Sequence, residues 1–289
     1  MTAPKQNTKS NKAIYVIDAN PDPGHATGGL LSLWAYRRLL WDFVKRDLSY
    51  RYTGSAVGIL WTVITPLMEL VTYTFVFHGL IGVSFQPQGG WTHYALFLFC
   101  GMVTWMAVSD GISHATGSVA SHGQLIKKLR FPAIVLPAHT VCSATLNQLI
   151  RLAVLCLAAL IVGPGLSWTL VLLPFLLLCQ MAFTVGLAMV LATANTYYRD
   201  TTHWVNAVLL LWMFITPVFY PAANYPQRFA FLLQFNPLAH IVGAYREVIL
   251  NHVLPHPHTL IIIVVMSTLS LFFGYSVFHH HRRYFSDLV

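Results

Sequence analysis

Three long stretches of this chain are apolar and almost free of charge. Each is at least as long as the roughly 20 apolar residues that a helix needs to cross a bilayer. The runs are continuous and do not alternate between apolar and polar residues, so they predict spanning helices and not the strands of an outer-membrane barrel. The stretches are 52–126, 131–198 and 248–281.

Turn signals divide these stretches into six predicted crossings. Proline and glycine at Pro87 and in the run 163–165 mark turns on one side, and the polar run 197–200 marks a turn on the other. We therefore predict an all-α integral membrane protein with six transmembrane helices. The predicted crossings lie near 57–82, 91–119, 134–162, 168–196, 202–220 and 259–278.

Residues 30–50 have a helical period with one apolar arc and one charged arc. A helix of this kind lies in the plane of the membrane interface, although packing on a soluble domain produces the same pattern. We predict an N-terminal amphipathic interface helix, preceded by a flexible cytoplasmic tail at 1–29 and continuous with a transmembrane domain at 30–289. The apolar arc comprises Leu33, Tyr36, Leu40, Trp41, Phe43, Val44 and Leu48. The opposite arc comprises Arg38, Asp42, Lys45, Arg46 and Ser49.

The segment 221–256 is apolar but repeatedly broken by proline and glycine. Its two helical pieces, near 229–235 and 238–251, are each too short to span a bilayer. Irregular backbone at membrane depth is tolerated where protein or a wet cavity surrounds it. We predict an outer re-entrant helical hairpin between crossings five and six, with an ordinary interfacial loop as the alternative.

Composition and charge support the membrane assignment and indicate its orientation. Only 9% of the residues are charged, against about 25% in soluble domains. The formal net charge of +8 is concentrated in segments that six crossings place on one side, and Lys and Arg favour the cytoplasmic side. The basic charge therefore predicts that both termini are cytoplasmic, and it does not indicate a nucleic-acid partner.

The motifs of common enzymes are absent from the sequence. There is no phosphate-binding loop, no zinc-protease helix motif and no nucleophile elbow. The four cysteines lie in apolar segments and show no metal-binding spacing, so we interpret them as packing residues. We therefore predict neither a catalytic site nor a metal site on this chain.

Two predicted crossings carry stripes that mix aromatic rings and hydroxyl groups. Rings contact the apolar faces of sugars without requiring one sugar sequence, as stacking does for single-stranded nucleic acids. The stripes therefore suit a glycan path, although helix packing and the interfacial aromatic belt explain such residues as well. They comprise Trp61, Thr65, Thr72 and Phe75 in the first crossing, and Trp212, Thr216, Phe219 and Tyr220 in the fifth.

Glu69 and Arg151 are charged residues well inside their predicted crossings. Each costs on the order of 3 kcal/mol at the centre of a bilayer on insertion scales. A mutual pair would lower that cost, and lining of a wet path is the alternative. Asp110 lies nearer the inner end, where capping or snorkelling accounts for it.

Five short segments in order resemble the permease subunits of type-2 ABC exporters that move O-antigen, capsule or teichoic-acid polysaccharides. They occur on the six-crossing frame at positions similar to those of that family, and the likeness covers about residues 30–285. The segments are 51–55 with Gly58-Ile59-Leu60-Trp61 and Pro66, then Leu129-Arg130-Phe131-Pro132, Tyr198-Arg199-Asp200, Thr216-Pro217-Val218-Phe219-Tyr220, and Phe235-Asn236-Pro237-Leu238.

The resemblance implies a homodimeric permease bound to two copies of a separate ATPase in a bacterial cytoplasmic membrane. ATP and Mg would bind on that partner, and this chain would carry no cofactor of its own. The implied cargo is a lipid-linked polysaccharide, and the resemblance gives Trp61 and Trp212 priority among the path residues. It implies ATPase docking by Lys127, Lys128, Arg130 and Phe131, with retention by anionic lipid as the alternative. Arg38 and Arg51 are candidates for meeting a lipid diphosphate at the entrance.

Other functions remain open on the sequence alone. An ABC exporter of a small molecule or lipid shares the same frame. An ion-coupled carrier would need buried ionisable groups in broken crossings and often an internal repeat. A membrane enzyme acting on lipid-linked sugars would need carboxylates or histidines that converge at one interface. ATP dependence of transport would separate the ABC exporter from the ion-coupled carrier. Catalytic activity of the isolated chain would identify the membrane enzyme.

Overall fold

The computed structural model describes residues 34–52, 57–80, 82, 91–128 and 132–288, and the regular elements in these ranges are all helical. The predicted tail at 1–29 lies outside the described residues. The helices are α1 (Arg37–Tyr52), α2 (Trp61–Thr74), α3 (Trp91–Thr116), α4 (Ser118–Ser121), α5 (Gly123–Lys128), α6 (Val135–Val162), α7 (Leu173–Tyr197), α8 (Thr201–Ile215), α9 (Ala230–Phe235), α10 (Pro237–Ile249), α11 (Pro257–His281) and α12 (Phe285–Leu288).

Four helical segments of the described chain are long and apolar enough to cross a membrane, and they correspond to predicted crossings two, three, four and six. Predicted crossing five contains the shorter apolar helix α8, whose 15 residues extend about 22 Å at 1.5 Å per residue. Predicted crossing one contains the 14 residues of α2, continued by a wider helical turn at Phe75–Leu80. The four long segments are Thr92–Thr116, Val135–Val162, Trp168–Tyr197 and Pro257–Tyr284.

Helix α3 lies at the centre of the bundle. Most of its side chains from Tyr94 to Ala115 are buried, and it packs against α2, α6, α7, α8 and α10. A pair of amides links its neighbours: Gln148 of α6 and Gln180 of α7 donate to each other at 3.0 Å. The Gln180 amide also donates to the Thr104 carbonyl of α3 at 3.3 Å. Three helices are thereby joined by polar contacts inside an apolar core.

Helices α7 and α11 pack side by side with their backbones in direct contact. Gly186 faces Gly274 where the two helices meet, and the Ser270 hydroxyl donates to the Phe183 carbonyl at 2.9 Å. Small residues at helix contacts let backbones approach closely, which is a main source of helix association in membranes. The helix pair α7 and α11 is therefore held together by close backbone packing.

The segment predicted as a hairpin contains two helices at nearly the predicted positions, α9 and α10. Asn236 ends the turn between them, and its side chain accepts a hydrogen bond from the Leu238 amide at 3.1 Å, as an N-cap does. The far end of α10 is held by Thr169, whose hydroxyl donates to the Val248 carbonyl at 2.8 Å. We call the end of the bundle that carries α9, α10 and Thr169 the hairpin end.

At the opposite end, α1 packs against α6. Val44 is fully buried, and the Phe43 ring meets the His139 ring edge-on at 5.3 Å between centroids. Trp41, which the sequence places on the apolar arc, is instead largely exposed, and Leu33 lies outside the described residues. We call this end, which carries α1, α4, α5 and the C-terminal end of α11, the basic end.

Candidate functional site

The predicted aromatic and hydroxyl stripe of α2 lies on one exposed face of the described chain. Trp61 is 45% exposed and Phe75 is 62% exposed, and the side chains of Thr65 and Thr72 are exposed between them. Met68 lies on the same face, one turn from each threonine, and is also exposed. The sequence prediction omitted it because a methionine in a crossing is usually an ordinary packing residue.

The second predicted stripe has a different position from the one that the sequence suggested. Thr216 and Phe219 are buried within the chain, and Trp212 and Tyr220 are partly buried. The exposed side of α8 is broad, and its large apolar residues are Trp204, Val208, Leu210, Leu211, Phe214 and Ile215. Trp212 lies about 100° from Leu211 around α8, and Thr216 to Tyr220 follow the end of that helix. Thr216 and Phe219 therefore have no exposed side chain with which to line a path in the described chain.

The residues of the second stripe connect α8 to the hairpin segment. The Trp212 indole Nε1–H donates to Asn236 Oδ1, and Asn236 Nδ2 donates to Thr216 Oγ1, both at 3.0 Å. The Tyr220 hydroxyl donates to the Phe214 carbonyl at 2.6 Å. Asn236 thus joins the end of α8 to the start of α10, and this position was marked in sequence only by the Asn-Pro pair.

The charged residues inside the bundle are paired differently from the sequence prediction. Arg151 Nη2 lies 3.6 Å from Asp110 Oδ2, so Asp110, and not Glu69, is its ion-pair partner. Glu69 lies near enough to interact electrostatically with both of them, and its Oε2 atom is buried without a hydrogen-bond partner in the described part of the chain. One cation and two carboxylates therefore share the contact between α2, α3 and α6.

Arg246 of α10 is buried among several hydrogen-bond partners, and the sequence reasoning did not select it. It is only 7% exposed. Its guanidinium donates to the carbonyls of Pro217 and Val218, both at 2.6 Å, and to that of Phe97 at 3.3 Å. It also lies over the Phe97 ring, at 3.5 Å from the centroid. Arg246 therefore ties α10 to α3 and to the linker that follows α8.

A cavity of about 390 Å³ lies beside Arg246 at the hairpin end. It is partly open and is bordered by the start of α3, the linker after α8 and one face of α10. Its wall combines small apolar groups with titratable and amide side chains. The polar lining residues are His93, Tyr94, Asn224, Arg246, Glu247 and Asn251.

The basic end contains the predicted docking residues, in part. Lys127 is exposed at the end of α5, which also contains Lys128, while Arg130 and Phe131 lie outside the described residues. Arg38 is exposed on α1, and Arg51 belongs to the last turn of the same helix. Within the described ranges no group of three or more metal-binding side chains is found.

Comparisons with known proteins identify the family of this chain. The family model described as ABC-2 type transporter matches residues 38–250. An O-antigen export system permease protein RfbA of Myxococcus xanthus is 30% identical over 259 residues, covering 89% of this chain and 97% of that protein. A second RfbA, from Klebsiella pneumoniae, is 28% identical over 87% of this chain and 95% of its own length. The polysialic acid transport protein KpsM of Escherichia coli is 22% identical over 81% and 89%. This chain belongs to the ABC-2 type transporter family.

Proposed function

We propose that this chain is the membrane-spanning permease of an ATP-driven exporter that moves lipid-linked polysaccharide across the bacterial cytoplasmic membrane. The observation that carries the proposal is the near full-length similarity to permeases named for O-antigen export and to a protein named for polysialic acid transport. Relatives with different glycans in their names share the frame, which fits a path that contacts sugars without reading their sequence.

In this proposal the two shorter apolar segments complete six crossings. Helix α2 with its continuation to Leu80 provides the first, and α8 with the linker from Thr216 provides the fifth. The segment 221–256, with α9 and α10, is the re-entrant hairpin on the outer face. Both termini, including the tail at 1–29, are then cytoplasmic, and the basic end faces the cytoplasm, as the Lys and Arg distribution favours.

A second copy of the chain would cover the exposed faces of α2 and α8. Both helices pack on α3 with one side and leave the other side exposed. The glycan path would then run between the two copies along Trp61, Thr65, Thr72 and Phe75. Trp212 and Tyr220 would border this path from α8, whereas Thr216 and Phe219 would support it from inside.

The basic end is the proposed docking surface for two ATPase subunits, which would bind ATP and Mg. Lys127 is exposed there, and Leu125 and Ile126 beside it are partly buried, so α5 offers charge and apolar surface together. We assign the same role to Lys128, Arg130 and Phe131. Arg38 and Arg51 of α1 would meet the lipid diphosphate of the cargo at the cytoplasmic entrance.

ATP would act on the path through these contacts. An ATPase dimer that binds α1 and α5 more tightly in its closed form shifts the permease toward one conformation by that difference in affinity. No hydrolytic chemistry is then needed on this chain, because its role is to provide the path and the docking surface.

The test is a deletion of this chain in its native host, followed by complementation. We expect loss of surface polysaccharide and accumulation of lipid-linked glycan inside the cell, both restored by the intact chain together with its ATPase. Trp61→Ala should reduce export, whereas Trp168→Ala, at a tryptophan near the hairpin end that is 70% exposed, should not. Normal surface polysaccharide in the deletion strain would overturn the proposal, and export that persists after ATP depletion would favour an ion-coupled carrier.

A further inference from the structure

The cavity at the hairpin end has the size and lining of a small-molecule site. Its volume of about 390 Å³ lies in the range of roughly 300–1,000 Å³ that such sites occupy. It contains none of the α2 residues assigned to the glycan path. The cavity belongs to a single copy of the chain, so it does not depend on the proposed dimer.

Arg246 brings spare hydrogen-bond donors and an unneutralised charge to this cavity. A guanidinium has five N–H groups, and three of them donate to the carbonyls of Phe97, Pro217 and Val218. No carboxylate in the described ranges lies within ion-pair distance of it. Two N–H groups therefore have no protein acceptor within the described ranges.

Glu247, the next residue on α10, also lines the cavity. Its Oε2 atom is buried and has no hydrogen-bond partner in the described part of the chain. The cavity thus has a cationic donor and an anionic acceptor on one wall, with the amides of Asn224 and Asn251 also in its lining.

This combination selects a neutral ligand that both donates and accepts. A singly charged ligand of either sign would meet one attractive and one repulsive charge here, so the pair favours neither an anion nor a cation. Neighbouring hydroxyl groups of a sugar ring can donate to the carboxylate and accept from the guanidinium and the amides at the same time.

We propose that the cavity is a binding site for one pyranose ring of the exported glycan, outside the central path. The site lies at the hairpin end, so it would hold a sugar that has emerged on the outer side and would oppose its return. This inference rests on the proposed export function.

Gly243 offers a direct way to close the site. It lines the cavity, and a Cβ atom added there would meet no heavy atom within 4 Å. The first atom of a new side chain therefore has room, and we choose Gly243→Leu to reduce the volume of the cavity. Gly117, at the basic end, is also surrounded by open space and provides a matched control for the same substitution.

The experiment measures binding of simple glycosides to the purified permease–ATPase complex in lipid nanodiscs by saturation-transfer NMR. The probes are the methyl pyranosides of glucose, mannose and N-acetylglucosamine, with methyl phosphate and tetramethylammonium as charged comparisons. We expect at least one glycoside, and neither ion, to receive saturation. Its affinity should fall about tenfold or more in Gly243→Leu, as expected when a methylene group is added to a fitted pocket, and stay unchanged in Gly117→Leu.

A second variant, Glu247→Gln, keeps the shape of the cavity and should weaken glycoside binding without altering the melting temperature of the complex. Equal glycoside signals in Gly243→Leu and the unaltered complex, no signal with any glycoside, or saturation of methyl phosphate would each overturn the site. These outcomes are distinct from failure of the export function, which is decided by surface polysaccharide in the deletion strain. If the strain needs the chain for export but the purified complex binds none of the glycosides, the proposed sugar site is wrong and the export function stands.

Discussion

Gly186 of α7 and Gly274 of α11 lie against each other so closely that neither position has room for a side chain. A Cβ on Gly274 would overlap the carbonyl group of Gly186, and a Cβ on Gly186 would overlap that of Ser270. The two helices are therefore in backbone contact, and only glycine permits that distance.

Gly186→Ala should push the two helices apart and lower the stability of the bundle by about 1–3 kcal/mol, the usual cost of overpacking. The measurement is the midpoint of thermal unfolding of the purified protein in detergent. Gly117→Ala is the control, because an added Cβ meets open space there. Equal midpoints for both variants would contradict the close approach.

Arg246→Lys should destabilise the hairpin end, because a lysine cannot reach three carbonyls in the geometry of a guanidinium. Each carbonyl left buried and unsatisfied costs about 1–3 kcal/mol. Gly101→Ala should act in the same direction, since the added Cβ would lie 2.5 Å from Arg246 Nη2. Hydrogen exchange of α10 is the measurement.

The matched control for this prediction is Arg228→Lys, at an arginine of the same segment whose side chain is exposed. Faster exchange in Arg246→Lys and Gly101→Ala, with no change in Arg228→Lys, is the expected pattern. If all three variants exchange alike, the hydrogen bonds of Arg246 do not hold the segment in place.

Arg151→Met should be more harmful than Asp110→Asn. Loss of the cation leaves the carboxylates of Asp110 and Glu69 together without a counter-charge. The cost should lie below the roughly 3–5 kcal/mol of a fully buried pair, because the Asp110 side chain is 36% exposed. Loss of the Asp110 charge leaves Arg151 with Glu69, so the smaller effect is expected. The yield of folded, monodisperse protein and its melting midpoint measure both.

The control for the charge cluster is Arg199→Met, at an exposed arginine in the turn before α8. It should change neither yield nor midpoint. The reverse order of the two test variants would show that Glu69 does not act as the reserve partner of Arg151.

Asn236→Ala should loosen the junction between α8 and α10. It removes the N-cap of α10, worth about 0.5–2 kcal/mol, together with the bonds to Trp212 and Thr216. Asn236→Asp should lose less, because a carboxylate oxygen still accepts from the Leu238 amide and the Trp212 indole. The rate of limited proteolysis within 221–236 measures how far this junction is loosened. Identical cleavage rates for the two variants would contradict the capping role.

Much of the helical frame follows from the sequence because length and apolarity decide it. The four long segments coincide with predicted crossings, and α9 and α10 occur where Asn236 and Pro237 separate two short apolar pieces. The family also follows from short local segments, because turns such as Tyr198-Arg199-Asp200 resemble those of the exporter permeases.

The orientation of each helix about its own axis does not follow in the same way. Leu211 and Trp212 are both apolar, and only the position of α3 and α7 decides that Leu211 is the more exposed of the two. The partner of Arg151 likewise depends on helix depth and rotation, which place Asp110 nearer than Glu69. Arg246 was hidden because its partners are backbone carbonyls, which no residue pattern marks.

The reciprocal amide pair of Gln148 and Gln180, with its third bond to Thr104, restricts how this molecule can change shape. A slide of α3, α6 or α7 by even one residue would strand several polar groups in a water-free interior, where they find no substitute partners. We therefore expect these three helices to keep their positions relative to one another during transport. We expect movement in α2 and α8, which pack against these helices on one side only.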